Sequence, residues 1–557
     1  MQRRHDQYPR QAVSRCALLV LPTELKEIIL KTIIRALGLA VALSVSMPLT
    51  SMAATPPNVL VVAKNISDMV TLDPASTTEL SSYEVSTNVY QRVFRYDADD
   101  LKKLVGDVIE NWSVSPDGKD FTMTIRSGLK FASGNPLTAQ DVAWSLQRAV
   151  EIGRLGANFF GPLGWTPENV KTLVSAPNPT TLNLKITNDY APSLVLNILA
   201  TNVASVLDSK TVLANEKDGD LGQEWLRTNS AGSGPFKVRG WTQNENIMLE
   251  RNPTYSGPAP AIERIVIRHV PESNAQRLLL ERGDVDIARD LTPDQVSALA
   301  SNKQIRVDNW ARGDQYYLGL NQRDPVLANP AVRQAVRWAI DYQGIADTLL
   351  KGRVKVRQSF LPAEFPGAID EVPYKFDPER ARSILKEAGL DEVAIKLDVP
   401  SQFPLPEIAQ AMQATMAKAG IQLQIQQAEA RQVITRYRAG QHNMVLIYWS
   451  PDYFDPHGNA TQFARNADKP DAKAYTSVAS RNGWNTKETA PLVDAARAEK
   501  DESKRIAMYA DLQRKVMADS AMVFAFQTME PIAQRSNVKG FIDGPNGDTV
   551  FYRLVTK

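Results

Sequence analysis

Apolar and polar positions change period several times along this chain, and each change marks an element. VLVVA (59–63) is an unbroken, largely β-branched run, which predicts a central strand, and a turn-rich stretch from Asp73 to Ser82 follows it. FTMTIR (121–126) alternates with the period of a strand, and SGLKFASGNP then turns. LTAQDVAWSLQRAV shifts to the helical period. Thr138 and Asp141 stand there as an N-cap and its third-position partner, and Val142, Leu146 and Val150 line one face.

Later helices carry the same punctuation. Asn329-Pro330 precedes AVRQAVRWAI, and Asp377-Pro378 precedes ERARSILKEAG, with Gly389 placed to end that helix in a left-handed turn. Within 406–419, Ile408, Met412 and Met416 recur at a spacing of four; Gly420 ends the helix, and IQLQIQ (421–426) alternates as the next strand. Helix followed by strand recurs throughout, which places the chain in the α/β or α+β class. The chain has no internal repeat, low-complexity tract, sustained heptad or long charge block, so it reads as compact throughout. One junction stands out: the apolar run MVLI (444–447) gives way to YWSPDYFDPHGNA (448–460), which sets two aspartates among aromatic rings.

Composition adds bounds. A chain of 557 residues exceeds what one hydrophobic core usually serves, so two or more domains are expected. With 64 Lys+Arg against 62 Asp+Glu there is no global basic field to argue for nucleic acid or an anionic membrane. Residues 36–46 (ALGLAVALSVS) form an apolar run preceded by Lys31 and Arg35, and SMA (51–53) supplies small residues for a cleavage site, which reads as a secretory signal peptide over residues 1–53. The run is too short to span a membrane, and the polar stretch ahead of it is longer than a leader needs, which places the expected translation start downstream of Met1. Removing 1–53 takes away 7 Lys+Arg and 3 Asp+Glu, leaving 57 against 59, a nearly neutral mature surface. The only cysteine, Cys16, lies in that segment, so neither a disulfide nor a lipid-bearing cysteine is expected in an exported, unanchored protein.

Catalytic patterns are sparse. Three histidines follow the leader (His269, His442, His457), none at metal-site spacing with another His or Cys, so no metal or other cofactor is expected. The chain lacks a G-x-S-x-G elbow, a G-x-x-x-x-G-K-[ST] loop and a G-x-G-x-x-G fingerprint. AGSGPF (231–236) comes nearest and reads as a tight turn into the strand FKVRGW. Asp284 and Asp286 in ERGDVDIARD could in principle share acid–base work, but they read as a surface turn followed by the strand VDI.

Several segments carry a more specific likeness. VIENWSVSPDGKDFTMTIRSGLKFASGNPLTAQDVAWSLQRA (108–149), GSGPFKVRGWTQNENIMLERNPTYSGPAPAIERIVIRHVPESNAQRLLLERGDVDI (232–287), YYLGLNQRDPVLANPAVRQAVRWAID (316–341) and YKFDPERARSILKEAGL (374–390) come first. ESKRIAMYADLQRKVMADSAMVF and NVKGF (537–541) follow. In this order they resemble the extracellular solute-binding proteins of family 5, the receptors of peptide-type ABC importers. The resemblance implies an α/β fold of the type II periplasmic binding protein kind: a two-lobed, three-domain clamshell with a hinge between the lobes and the ligand in the cleft. Mapped onto this chain, domain I would comprise residues 54–96, 224–310 and 529–557, domain II 97–223, and domain III, the second lobe, 311–528.

The likeness further implies a periplasmic receptor, not an enzyme. It would act as a monomer without nucleic acid, capture a peptide or peptide-like amine, and deliver it to an inner-membrane ABC permease. The same fold hosts receptors for opines, oligosaccharides and nickel chelates, and a reading from another class is a secreted hydrolase with carboxylates on opposing lobes.

In peptide-binding members an aspartate in the segment matching SPDY pairs with the ligand's α-ammonium, and here that position is Asp452. A cation sealed from water needs a fixed opposite charge, although an aspartate beside Pro and Gly often only punctuates a loop. Trp449, Tyr453 and Phe454 would wall the charge off, and Asp455, ahead of Pro456, reads as a cap. Trp484 in RNGWN matches a place where the family often sets a residue over the cleft, with a core tryptophan as the alternative. Ser82 and Tyr83 match a loop that gives main-chain contacts to an extended peptide. Where dipeptide-specific members place a carboxylate-binding arginine, this chain has PSQFPLP, with Gln402 nearest, which carries no charge. Arg353, Arg357 and Arg431 are candidates to supply that cation, with an exposed face as the other reading for each.

Overall fold

Residues 55–557, apart from 470, 471, 473 and 474, are described by the computed structural model; the expected signal peptide over 1–53, with Cys16, lies outside the described residues. The β-branched run near the start forms Val59–Lys64, held between parallel neighbours Arg264–His269 and Ile287–Ala288, with Leu60 and Val62 fully buried. It belongs to an eleven-stranded sheet. One edge runs Ile421–Ala428, Val393–Pro400, Met444–Trp449; the centre is Ile305–Leu320 beside Met522–Arg535, which also pairs Val354–Val356. The other side runs Ile287–Ala288, Val59–Lys64, Arg264–His269, Asn246–Arg251, Phe236–Thr242.

The two long central strands tie this sheet together, and their pairing is irregular at two places, between Ala311 and Gln315 and between Tyr316 and Tyr317. At the first, Ala311 lies opposite Met529 and Gln315 opposite Gln527, so the three residues between them on one strand face the single residue Thr528 on the other, a bulge that bends the ladder. On one side of it Gln315–Leu320 pairs with Met444–Trp449; on the other, the partner strand joins Ile287–Ala288. The sheet is thus shared by two lobes that meet at an irregular stretch of backbone.

A separate four-stranded antiparallel sheet, ordered Ile109–Val114, Asp120–Ile125, Thr181–Lys185, Val174–Asn178, carries the helix Ala139–Ile152. Phe121, Met123 and Ile125 alternate inward as expected from FTMTIR, and Val142, Leu146 and Val150 are buried on the helix. The anticipated cap is present: the Thr138 amide donates to Asp141 at 2.9 Å and its hydroxyl at 2.7 Å. Asn329 accepts from the Ala331 amide at 2.9 Å, Asp377 from Arg380 at 2.8 Å, and Gly389 and Gly420 are left-handed, ending their helices.

One cluster of buried apolar side chains runs from the four-stranded sheet (Phe121, Leu182) to the helices Pro456–Ala464 and Glu502–Ala518 (Phe463, Leu512). A second lies under Val393–Pro400 and Leu405–Ala417, where Ile408, Met412 and Met416 are fully buried. The turn expected at Asp284 is present and a strand follows it, but Asp286 is not a surface residue. Asp286 is buried, accepts from the Val61 amide at 2.8 Å and pairs with Lys557 at 2.9 Å, because the end of the chain folds back over the first strand.

Candidate ligand-binding site

Met444–Trp449 leaves the core as a strand whose first three residues are fully buried, and the chain then needs a turn before Pro456–Ala464 can start. Asp455 supplies it, accepting from the His457 amide at 2.8 Å. Its carboxylate also pairs with Arg505 at 2.5 Å and accepts from Asn197 Nδ2 at 3.2 Å. Both members of the ion pair are buried, so Asp455 anchors the loop and is not free for a ligand.

Three residues earlier the opposite holds. Asp452 has no hydrogen-bond or ion-pair partner among the described residues and opens onto a cavity of about 200 Å3. Thr78, Leu80 and Tyr83 form one wall at the start of the helix Leu80–Val89; Leu155 and Phe159 form another from Leu155–Phe160. Ser450–Asp452 and Asn546–Asp548 complete the cavity. Asp452 is exposed to solvent, yet the neighbouring protein still disfavours its charged form, and this desolvation raises its pKa above the ordinary carboxylate range. An unpaired carboxylate so placed is poised to accept a cation.

A second carboxylate, Asp548, lines the same cavity. Burial pushes it up to about 6 against the pull of Arg92, which pairs with it at 3.0 Å. Burial, and then Asp548 and Asp452, hold the Tyr83 hydroxyl well above its ordinary range, so it stays a neutral donor.

Aromatic contacts join residues 453–457 to Tyr96, Phe159 and Tyr190, of which Phe159 lines the cavity. Phe159 meets Tyr453 edge-on at 6.3 Å, Tyr96 meets Phe454 at 5.2 Å, and Tyr190 meets His457 at 5.9 Å. The loop is also tied to the central bulge: the Ser450 hydroxyl donates to Asp314 at 2.5 Å, and the Gly313 amide donates to the Pro545 carbonyl at 2.8 Å.

The other sequence-nominated residues sort by packing. Tyr83 faces the cavity, whereas Ser82 is fully buried and its hydroxyl has no partner among the described residues. Phe454 is only 1% exposed, packed between Tyr96 and Phe365, and so supports the loop from beneath, not as a wall. Trp484 is a core residue whose carbonyl accepts from Asn466 at 2.9 Å; its place over a cleft is corrected, since the apolar cluster claims its ring. Trp449 packs edge-on against Phe463 at 6.0 Å with its indole nitrogen unpartnered among the described residues. Gln402 is exposed and bonds the Tyr448 hydroxyl.

None of the three nominated arginines lines the cavity. Arg353 donates to the Leu291 carbonyl at 2.6 Å, Arg357 to the Leu361 carbonyl at 2.7 Å and to Asp370, and Arg431 lies on an exposed face. Asp548, Phe159 and Leu155 were missed, because each reaches the site from a segment whose local pattern is that of an ordinary turn or helix.

Histidines take no part. His457 bonds Tyr509 at 3.1 Å and His442 bonds Asn482 at 2.9 Å, and burial lowers them to about 3 and about 4, so both are neutral packing groups. Among the described residues no cluster of His, Cys, Asp or Glu could hold a metal ion, and no helix is long and apolar enough to cross a membrane. A larger recess of about 610 Å3 lies beside Asn58 and Lys237, where four of the charged residues pair, Arg251 with Glu263 at 3.2 Å and Lys237 with Glu250 at 3.1 Å.

Comparison with known proteins agrees with this geometry. The family described as "Bacterial extracellular solute-binding proteins, family 5 Middle" matches residues 103–471. The "Probable D,D-dipeptide-binding periplasmic protein DdpA" of Escherichia coli K12 is 30% identical over 518 residues, 92% of this chain and 96% of that protein. The "Dipeptide-binding protein" of the same organism is 27% identical over 505 residues, 85% and 90% of the two chains. Among solved structures, HbpA2 from Haemophilus parasuis superposes with a TM-score of 0.78 at 22% identity, covering 90% of this chain and all of that one, 100%. With a two-lobed sheet, a cavity walled from distant segments and a family match over most of its length, this chain belongs to the bacterial extracellular solute-binding proteins of family 5.

Proposed function

We propose that this protein is the receptor of an ABC importer, which captures a short peptide or peptide-like amine in the cavity beside Asp452 and delivers it to an inner-membrane permease. The observation that carries this reading is Asp452: a carboxylate unpaired among the described residues, exposed to a cavity with aromatic and apolar walls. A ligand ammonium there would gain the counter-charge that the free protein lacks. The relatives' printed names, dipeptide-binding and D,D-dipeptide-binding, support the ligand class, and the periplasmic one supports an exported receptor. Family and relatives are substrate-binding proteins, and capture needs no bond made or broken.

Tyr83 and Tyr453 act with Asp452 in this reading, Ser82, Trp449 and Phe454 brace them, and Gln402, exposed and outside the cavity lining, takes no part. Domain I would comprise 54–96, 224–310 and 529–557, domain II 97–223, and domain III 311–528. The pairing break opposite Ala311 and Met529 supports a hinge there, and the contacts of Tyr96, Phe159 and Asn197 with residues 453–455 are those of a shut cleft. The receptor acts as a monomer.

The test is native mass spectrometry of the protein from its own periplasm, with identification of the released molecule, followed by calorimetry on Asp452→Asn. A released peptide whose binding drops at least about a hundredfold in the variant is the expected result. A non-peptide solute such as an opine, oligosaccharide or nickel chelate, or indifference to the substitution, sinks the ammonium assignment. Cleaved products of an added peptide or glycoside library would point instead to the hydrolase reading.

A further inference from the structure

Thr78 and Leu155 form a wall shared by the Asp452 cavity and a second recess of about 490 Å3, which Val70, Arg154 and Asn158 help to line. The charges of that recess are engaged, with one exception among the described residues. Asp73 is clasped by Arg148 at 2.9 and 2.8 Å, and Glu224 pairs with Arg227 at 3.0 Å. Glu79 accepts from the Thr78 amide at 3.1 Å and hydroxyl at 2.8 Å. Arg154 is exposed, and its guanidinium has neither a carboxylate nor a hydrogen-bond partner among the described residues.

Its position is built into a stiff corner. Gly153 and Arg154 are both left-handed, with φ of 76° and 49°, and they turn the chain from Ala139–Ile152 into Leu155–Phe160. Only glycine takes that conformation readily, so an arginine there is held by its surroundings, a pattern that recurs at ligand clamps. The second helix packs tightly on the first: a Cβ on Gly156 would lie 1.8 Å from the Ala149 carbonyl oxygen. Arg154 therefore sits beside Leu155, which faces both recesses.

We infer that Arg154 receives the carboxylate end of the ligand. This rests on the peptide reading above: with its ammonium at Asp452, the chain of the ligand crosses Thr78 and Leu155 and ends in the second recess. A guanidinium offers paired donors that match a carboxylate, which the uncharged Gln402 cannot do. Val70 and Leu80, 61% and 56% exposed, flank the path as apolar surface for the ligand's side chains. The substrate class is then a short peptide with a free C-terminus, read at both ends by opposite charges on different segments.

The probes are two synthetic libraries of di- and tripeptides, one with free and one with amidated C-termini, offered to wild type, Arg154→Asn and Asp452→Asn and read by native mass spectrometry, with calorimetry on the best binder. Asparagine tolerates the left-handed backbone, and an unchanged melting temperature confirms folding. The wild type is expected to prefer the free acid at least about tenfold, and Arg154→Asn to erase that preference while still binding the amide. Asp452→Asn is expected to weaken acid and amide alike. A wild type indifferent to amidation, or an Arg154→Asn that keeps the preference, overturns the inference and leaves the peptide reading standing. If neither library binds the wild type, the peptide reading fails and this inference fails with it.

Discussion

Asp452 and Asp455 share a loop of four residues and have opposite fates. Asp455 has its cation and its amide donor within the fold, whereas Asp452 faces space with neither. Asp548 lies between these cases, paired with Arg92 yet held near 6 because burial outweighs the attraction. Its folded pKa is raised above the ordinary 3.8, so between about pH 4 and 6 the folded protein holds a proton that the unfolded chain has released. Stability from this group is thus greatest below that window and declines as pH rises through it. Urea unfolding of wild type and Asp548→Asn from pH 4 to 7 checks this: the wild type should lose stability relative to the variant as pH rises, and parallel profiles would refute the assignment.

At the scale of elements, the helix Pro456–Ala464 is fixed at its start by Asp455, and Asp455 by Arg505 on Glu502–Ala518. Replacing Arg505 with methionine leaves a buried carboxylate without its charge partner, which costs roughly 3–5 kcal/mol. The expected outcome is a clear fall in melting temperature for Arg505→Met, largely restored in Asp455→Asn/Arg505→Met, where the asparagine still caps the helix. Equal losses in both variants would mean that the pair matters only through packing. Helix starts of this kind were legible in the sequence, because a cap and its partner lie within a few residues. The role of Asp286 was not, since its partner Lys557 is 271 residues away.

At the scale of the whole molecule, the bulge between Ala311 and Gln315 is the proposed hinge, and the loop that carries Asp452 is fastened to it through Asp314 and Ser450. Gly313 has no room for a side chain: an added Cβ would lie 2.8 Å from Pro451 Cγ and 3.3 Å from the Pro545 carbonyl oxygen. Gly313→Ala must therefore push the Ser450–Asp452 loop away from the C-terminal segment that carries Asp548. We expect a small loss of stability, about 1–3 kcal/mol, with a weakened ligand and a larger radius of gyration by X-ray scattering when ligand is added. Unchanged scattering and affinity would show that the bulge is not the hinge.

The sequence by itself determined the local elements and the family: periodicity, caps and glycine stops depend on neighbours within one or two turns, and the ordered segments span most of the chain. Its matched positions also nominated Asp452 and Tyr83, both of which line the cavity. Only the tertiary structure decided which side chains face the cavity. Phe454 reads as a cleft aromatic and Trp484 as a cleft or core one, and the apolar cluster buries both; Asp548 and Arg154 carry no sequence signal of their own, yet the fold brings each to a recess at or beside the Asp452 cavity. The physical reason is that burial and charge pairing are set by long-range contacts, and local pattern carries no record of a partner hundreds of residues away.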